Sequence, residues 1–177
     1  IMADGILKVG QITNSAGSGN ITIGSGVTLQ SNVPAFEAYL SSSQTLSDAT
    51  TTKVQYDTEV FDTDGCYDNS TNYRFTPTEA GKYFVYIANS VSADAAARAI
   101  QVYNYIYKNG SSYKFAVHDA NSNNGTCFDP FLSAVVDMNG TTDYLEGFTN
   151  INVSSGTPSA QGSANKRTYF GAYKIGA

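Results

Sequence analysis

Ile100-Gln-Val-Tyr-Asn-Tyr-Ile-Tyr-Lys-Asn-Gly-Ser-Ser-Tyr-Lys-Phe-Ala-Val-His118 is the stretch on which the fold turns. From Ile100 to Lys108, residues of opposite character alternate, which is the period of a strand. Asn109-Gly110 follows, a dipeptide that accepts the positive φ angles of a tight hairpin turn, and Ser112–His118 returns as the partner strand. A second Asn-Gly turn, Asn139-Gly140, closes the largely apolar run Phe128–Met138 and leads into Tyr144–Val153.

Upstream of the hairpin, Tyr83–Ala88 is apolar throughout, as an inner strand would be. Tyr83, Val85 and Ile87 face one side, and Phe84 and Tyr86 the other. Both sides then need cover. A subunit interface supplies the second cover, and a long overlying loop is the alternative. Strands are also expected at Ala35–Leu40, Thr52–Tyr56, Glu59–Phe61, Tyr73–Phe75 and Arg167–Ile175. Asp62–Ser70 and Pro77–Gly81 read as turn regions, and Val91–Ala99 as a loop or one helical turn. Eight to ten short strands at regular spacing indicate an all-β sandwich or barrel.

The chain of 177 residues suits one domain with its own core. Only 14% of residues are charged, and Asn, Ser, Thr and Gly take their place. That profile fits an extracellular or virion β-protein and disfavours helices. A net charge of −5 argues against nucleic acid as a partner, which needs Lys and Arg. No apolar stretch approaches the roughly 20 residues of a membrane span. Ile1–Gly10 lacks the pattern of a secretory signal, so a signal was removed or never used.

Residues 1–33 differ in texture: small, polar and free of aromatics, whereas all 13 Tyr and all 9 Phe lie from Pro34 onward. Asn20-Ile-Thr-Ile-Gly and Gly26-Val-Thr-Leu-Gln alternate but are too small-sided to bury a core. The chain thus divides into an N-terminal anchoring or stalk arm, 1–33, and a head, 34–177. A flexible linker is the other reading of the arm.

Candidate chemistry is sparse. His118 is the one histidine and sits beside a turn without a nucleophile elbow, so a surface role is expected. Cys66 and Cys127 read as two free thiols or one disulfide. No cofactor is expected. Calcium is the one metal worth naming, with Asp62 and Asp64 as ligands in an acidic turn, although ligand side chains are missing from the next positions. The bland alternative is an Asp-rich turn bonding its own backbone.

Tyr56, Asp62, Tyr67, Phe75, Gly81 and Tyr83 stand at spacings that resemble the globular head of the complement C-one-q family, a relative of tumour necrosis factor. The block Phe75-Thr-Pro-Thr-Glu-Ala-Gly-Lys-Tyr83 carries the likeness best. Pro34–Leu40 resembles that family's first strand, Ile106–Gly110 its central hairpin, and Tyr169-Phe-Gly-Ala-Tyr173 its closing strand. The resemblance implies a jelly-roll β-sandwich of about ten antiparallel strands, no enzymatic activity and a homotrimer. It implies that Tyr56, Phe75, Gly81, Tyr83, Val85, Ile87, Phe170 and Tyr173 form core or trimer interface. Binding would then lie in loops at one end, for which Ala88–Ala99, Asp119–Cys127 and Ser154–Lys166 are candidates.

Gly5-Ile-Leu-Lys-Val-Gly-Gln-Ile-Thr13 and Gly17-Ser-Gly-Asn-Ile-Thr-Ile-Gly24 resemble the start of tailed-phage virion proteins. With it comes the expectation of a trimeric virion surface protein, a capsid decoration or a fibre head. Residues 1–33 would contact other virion proteins, and the head a host-surface glycan or receptor. The alternative is a secreted recognition module binding carbohydrate or protein.

Overall fold

The computed structural model describes residues 33–93, 98–119 and 125–176, together with Ser25. The expected arm strands at 20–24 and 26–30 lie outside the described residues, as do the middles of two candidate loops, 94–97 and 120–124.

The chain is all β. Its strands are β1 (Ala35–Tyr39), β2 (Gln44–Thr45), β3 (Thr52–Lys53), β4 (Thr58–Asp62), β5 (Tyr67–Asp68), β6 (Arg74–Phe75), β7 (Ala80–Ala88) and β8 (Val91–Ser92). They continue as β9 (Ala99–Lys108), β10 (Ser111–Asp119), β11 (Cys127–Phe128), β12 (Phe131–Asn139), β13 (Leu145–Val153), β14 (Ser159–Ala160) and β15 (Tyr169–Gly176). Among the described residues, eight strands are five or more residues long and seven have two residues. All pairings among the described residues are antiparallel. One sheet has the order β12-β7-β15-β1-β4; a second has β10-β9-β13-β6-β5, with β3 beside β13.

The hairpin forms as its turn residues dictate. Asn109 and Gly110 take φ of 53° and 76°, and Ser111 pairs with Lys108. The second Asn-Gly turn is tied to the first. Asn109 accepts from the Tyr144 N–H at 2.9 Å and donates to Asp143 at 2.7 Å.

The two larger sheets meet in one core. Phe36 of β1 stacks on Tyr67 and Phe75 of the opposite sheet, each with centroids 4.5 Å apart, and meets Phe170 edge-on at 4.9 Å. Tyr56 packs on Phe170, and Tyr83 on Phe75. Tyr56, Phe75, Tyr83, Val85, Ile87 and Phe170 are completely buried. Burying an aromatic or branched side chain contributes about 1.5–3 kcal/mol, so this cluster is a principal term in stability. Gly81 has φ of 146°, and a Cβ there would collide with the Gly176 carbonyl; β7 and β15 approach too closely for any side chain.

A polar network crosses the same core. The Tyr56 hydroxyl donates to Asn89 Oδ1 at 2.7 Å, and Asn89 Nδ2 donates to Asn104 Oδ1 at 2.9 Å. Asn104 donates onward to the Pro130 carbonyl at 2.6 Å, and the Thr149 hydroxyl donates to the Tyr103 carbonyl at 2.9 Å. Asn89, Asn104 and Thr149 are fully buried, and each finds partners, as buried polar groups must.

β12 lies at the edge of its sheet, where open carbonyls invite foreign strands. Side chains from the other sheet cover them. Lys108 donates to the Asp137 carbonyl, Tyr113 to that of Val135 and Lys114 to that of Ser133, at 2.6, 3.1 and 2.9 Å.

Candidate functional site

β7, β15, β1 and β12 each alternate, so the side that does not face the core faces out. Their register defines that outer surface. Ala35, Tyr173, Phe84 and Val135 share one row, and Glu37, Gly171, Tyr86 and Ser133 the next. A third row holds Tyr39, Tyr169, Ala88 and Phe131. The rings touch across strands, Phe84 with Tyr173 at 5.5 Å and Tyr86 with Tyr169 at 6.1 Å, and along β7, Phe84 with Tyr86 at 6.2 Å. Phe131 and Tyr173 are 55% and 45% exposed, and Phe61 of β4 and Val135 are also exposed. An outward surface this aromatic is a candidate interaction surface.

Tyr86 is held in place. Its hydroxyl donates to Glu37 at 2.9 Å, and its ring lies on Gly171, where a Cβ would collide with it. Burial, then the Glu37 carboxylate, pushes its phenol above the usual value.

The residues expected as core or interface therefore divide. Tyr56, Phe75, Tyr83, Val85, Ile87 and Phe170 face the core, and Tyr173 faces out. Burial and the Glu79 carboxylate push the Tyr83 phenol up to about 12, and its hydroxyl donates to the Glu79 carbonyl at 2.8 Å. Phe84, Tyr86, Tyr169, Phe131 and Phe61 complete the outer surface without having been singled out as site residues. Alternation finds Phe84 and Tyr86 in β7, Tyr169 in β15 and Phe131 in β12, while Phe61 is placed by its pairing with Glu37.

Asp62 and Asp64 sit in the expected turn, and their oxygens bond nearby groups. Asp62 accepts from the N–H groups of Asp64 at 3.3 Å and Tyr67 at 2.8 Å. Asp64 accepts from the Thr78 hydroxyl and, at 3.3 Å, from Cys66; those two bonds, Thr78 first, hold its carboxyl below the usual range. Among the described residues no three His, Cys, Asp or Glu side chains cluster as metal ligands would. Cys66 is buried, Cys127 exposed, and both are free thiols. His118 is exposed and packs on Phe128, with centroids 4.9 Å apart.

The described parts of the three candidate loops come together. β8 lies in the first, Cys127 of β11 ends the second, and β14 lies in the third. They pair as one small sheet in the order β11-β8-β14-β2. The expectation of a loop or helical turn at 91–99 is corrected at its start, because Val91 and Ser92 are a strand in this sheet.

No protein-family model matches the chain, and no curated protein does. Solved structures do. Murine APRIL at pH 5.0 superposes with a TM-score of 0.59 at 10% identity, over 81% of this chain and 99% of that one. Eiger TNF from S. frugiperda superposes with a TM-score of 0.57 at 11% identity, over 82% of this chain and 94% of that one. The fold is thus an all-β jelly roll similar to tumour-necrosis-factor-type heads.

Proposed function

We propose that the chain is a non-enzymatic, trimeric surface protein of a bacteriophage particle, a capsid decoration or fibre head. Three copies of the head, 34–177, pack through the outer surface of the β12-β7-β15-β1-β4 sheet. The arm, 1–33, joins the head to other virion proteins, and the head faces outward toward a host surface. The observation that carries the assembly is the aromatic cluster Phe84, Tyr86, Tyr169 and Tyr173, flanked by exposed Phe61, Phe131 and Val135. Covering it removes large apolar area from water at about 25 cal/mol per Å². Threefold packing is the arrangement that the resemblance to complement heads implies. The arm sequence supports the virion setting.

A secreted recognition module would favour a Cys66–Cys127 disulfide, whereas both thiols are free. Light scattering on the full chain and on Tyr173→Asp tests the assembly. The full chain is expected as a trimer and the variant as a smaller species; a wild-type monomer refutes the reading.

A further inference from the structure

The second large sheet also turns a side outward, and its chemistry differs. In β9, Val102, Asn104 and Ile106 are buried, so Tyr103, Tyr105 and Tyr107 project from the other side. Register sets Phe115 of β10 beside Tyr105 on one flank. On the other flank Asn150 and Phe148 of β13 lie beside Tyr103 and Tyr105. The rings form a connected row. Tyr103 and Tyr105 are 5.9 Å apart with planes within 14°, and Phe115 meets Tyr105 at 5.7 Å. Tyr107 stacks on Phe148 at 4.1 Å.

Amides and hydroxyls border this row. Gln101 accepts from the Tyr103 hydroxyl at 3.3 Å, and Asn150 donates to the Thr51 hydroxyl at 3.3 Å. The ion pair on this side, Lys53 with Glu146 at 2.5 Å, satisfies itself. The surface therefore combines aromatic faces, an amide border and a neutralised charge pair on a rigid sheet.

We propose that this surface binds a neutral glycan chain. Sugar rings present apolar C–H faces, which lie on aromatic rings, and a rim of hydroxyls, which bond to amides and phenols. Tyrosine suits both tasks because it joins a large rigid ring to a polar tip. Charge complementarity selects a neutral chain, since the protein carries −5 and the surface offers no excess cation to an acidic polymer. Ring–ring contacts and strand pairing hold the groups in place before binding, which lowers the ordering cost. The outer surface of the other sheet lacks this amide border: in its three central rows Glu37 and Ser133 are the polar side chains set among aromatic and aliphatic groups. That contrast separates a surface for copies of the chain from one for a polyhydroxylated ligand.

This inference rests on the reading of the chain as an outward-facing recognition head. It is tested by electrophoresis of the native full chain in gels containing hydroxyethyl cellulose, laminarin, xylan or galactomannan. At least one is expected to retard the wild type. Phe115→Ala and Asn150→Ala, at exposed and half-buried positions, are each expected to weaken that binding about three- to tenfold. Their unfolding midpoints confirm that the fold is intact. No retardation by any of the four overturns the proposal, as does equal retardation of wild type and both variants. A lower solution mass for Phe115→Ala would assign the surface to contact between copies and also overturn it. A trimer that ignores all four polysaccharides overturns this inference and leaves the assembly standing; a retarded monomer does the reverse.

Discussion

Tyr56→Phe removes one oxygen from the middle of the core and changes little else. The Tyr56 hydroxyl is fully buried and donates to Asn89 Oδ1 at 2.7 Å. Without it that oxygen stays buried and loses its donor, because the Asn89 amide nitrogen is held by Asn104 at 2.9 Å and the side chain is not free to turn. Leaving a buried polar group unsatisfied costs about 1–3 kcal/mol, more than the 0.5–1.5 kcal/mol net value of an average hydrogen bond. With a urea slope near 2 kcal/mol per molar, the midpoint should fall by about 0.5–1.5 M. Circular dichroism reads the transition, at one protomer concentration because assembly shifts apparent stability. Tyr113→Phe, whose hydroxyl bonds the Val135 carbonyl at an exposed edge that water can reach, is the control and should stay within about 0.5 kcal/mol. Adding Asn89→Ala completes a double-mutant cycle, in which coupling of about 0.5–3 kcal/mol is expected for residues in one network. A Tyr56→Phe midpoint equal to that of wild type, or additive single changes, would refute the account of the network.

Alkaline stability follows from the same groups. Burial above all holds the Tyr56 and Tyr67 phenols well above the usual tyrosine value, while in the unfolded chain they titrate near about 10. Below that pH both states keep the protons; above it only the folded state does. Stability should therefore fall as pH rises past about 10, by about 1.4 kcal/mol per pH unit for each phenol, and phenolate absorbance should show them titrating with unfolding. Asp68 accepts from the N–H groups of Ser70, Thr71 and Asn72 at 3.1, 2.9 and 3.0 Å, like a helix cap. The Thr71 bond is the chief cause that holds its carboxyl low. Asp68→Ala should cost about 0.5–1 kcal/mol at neutral pH, with the difference shrinking as pH falls below about 4, where the wild-type carboxylate starts to lose its advantage. For the thiols, a disulfide reagent at neutral pH should modify exposed Cys127 quickly. Cys66, buried and with its thiol pushed up to about 11 chiefly by burial, should react only on unfolding. Equal rates would contradict its placement.

The long strands were legible because their signals are local. The Asn109-Gly110 hairpin lies where its dipeptide required, and the expected Tyr83–Ala88 strand is the inner part of β7. What escaped depends on partners distant in sequence. The run Phe128–Met138 reads as continuous, yet it divides at Asp129-Pro130, because proline has no N–H for a ladder; β11 joins the small sheet and β12 a large one. β5 hides in a turn-rich segment and β14 in a Gly/Ser/Pro loop. Each has two residues, and their pairing is set by neighbouring strands. Asn104 was readable in principle: it shares the parity of Val102 and Ile106, so a strand there had to carry an amide into the core. An amide on its own favours the surface, and the network with Tyr56, Asn89 and Thr149 is what holds this one in the core. Of the residues that carried the family resemblance, Tyr56, Tyr67, Phe75 and Tyr83 are core residues. They report the fold well, while the outer surfaces that would meet partners lie at alternate positions between them.

The solution mass of the full chain tests the central claim most directly. The account predicts three times the 18.8 kDa chain mass by light scattering, both for the full chain and for a chain shortened to start at Pro34. Tyr173→Asp should lower it, since a charge would enter the covered aromatic cluster. A mass of one chain at all concentrations would contradict the account and leave the aromatic surface of the β12-β7-β15-β1-β4 sheet unexplained.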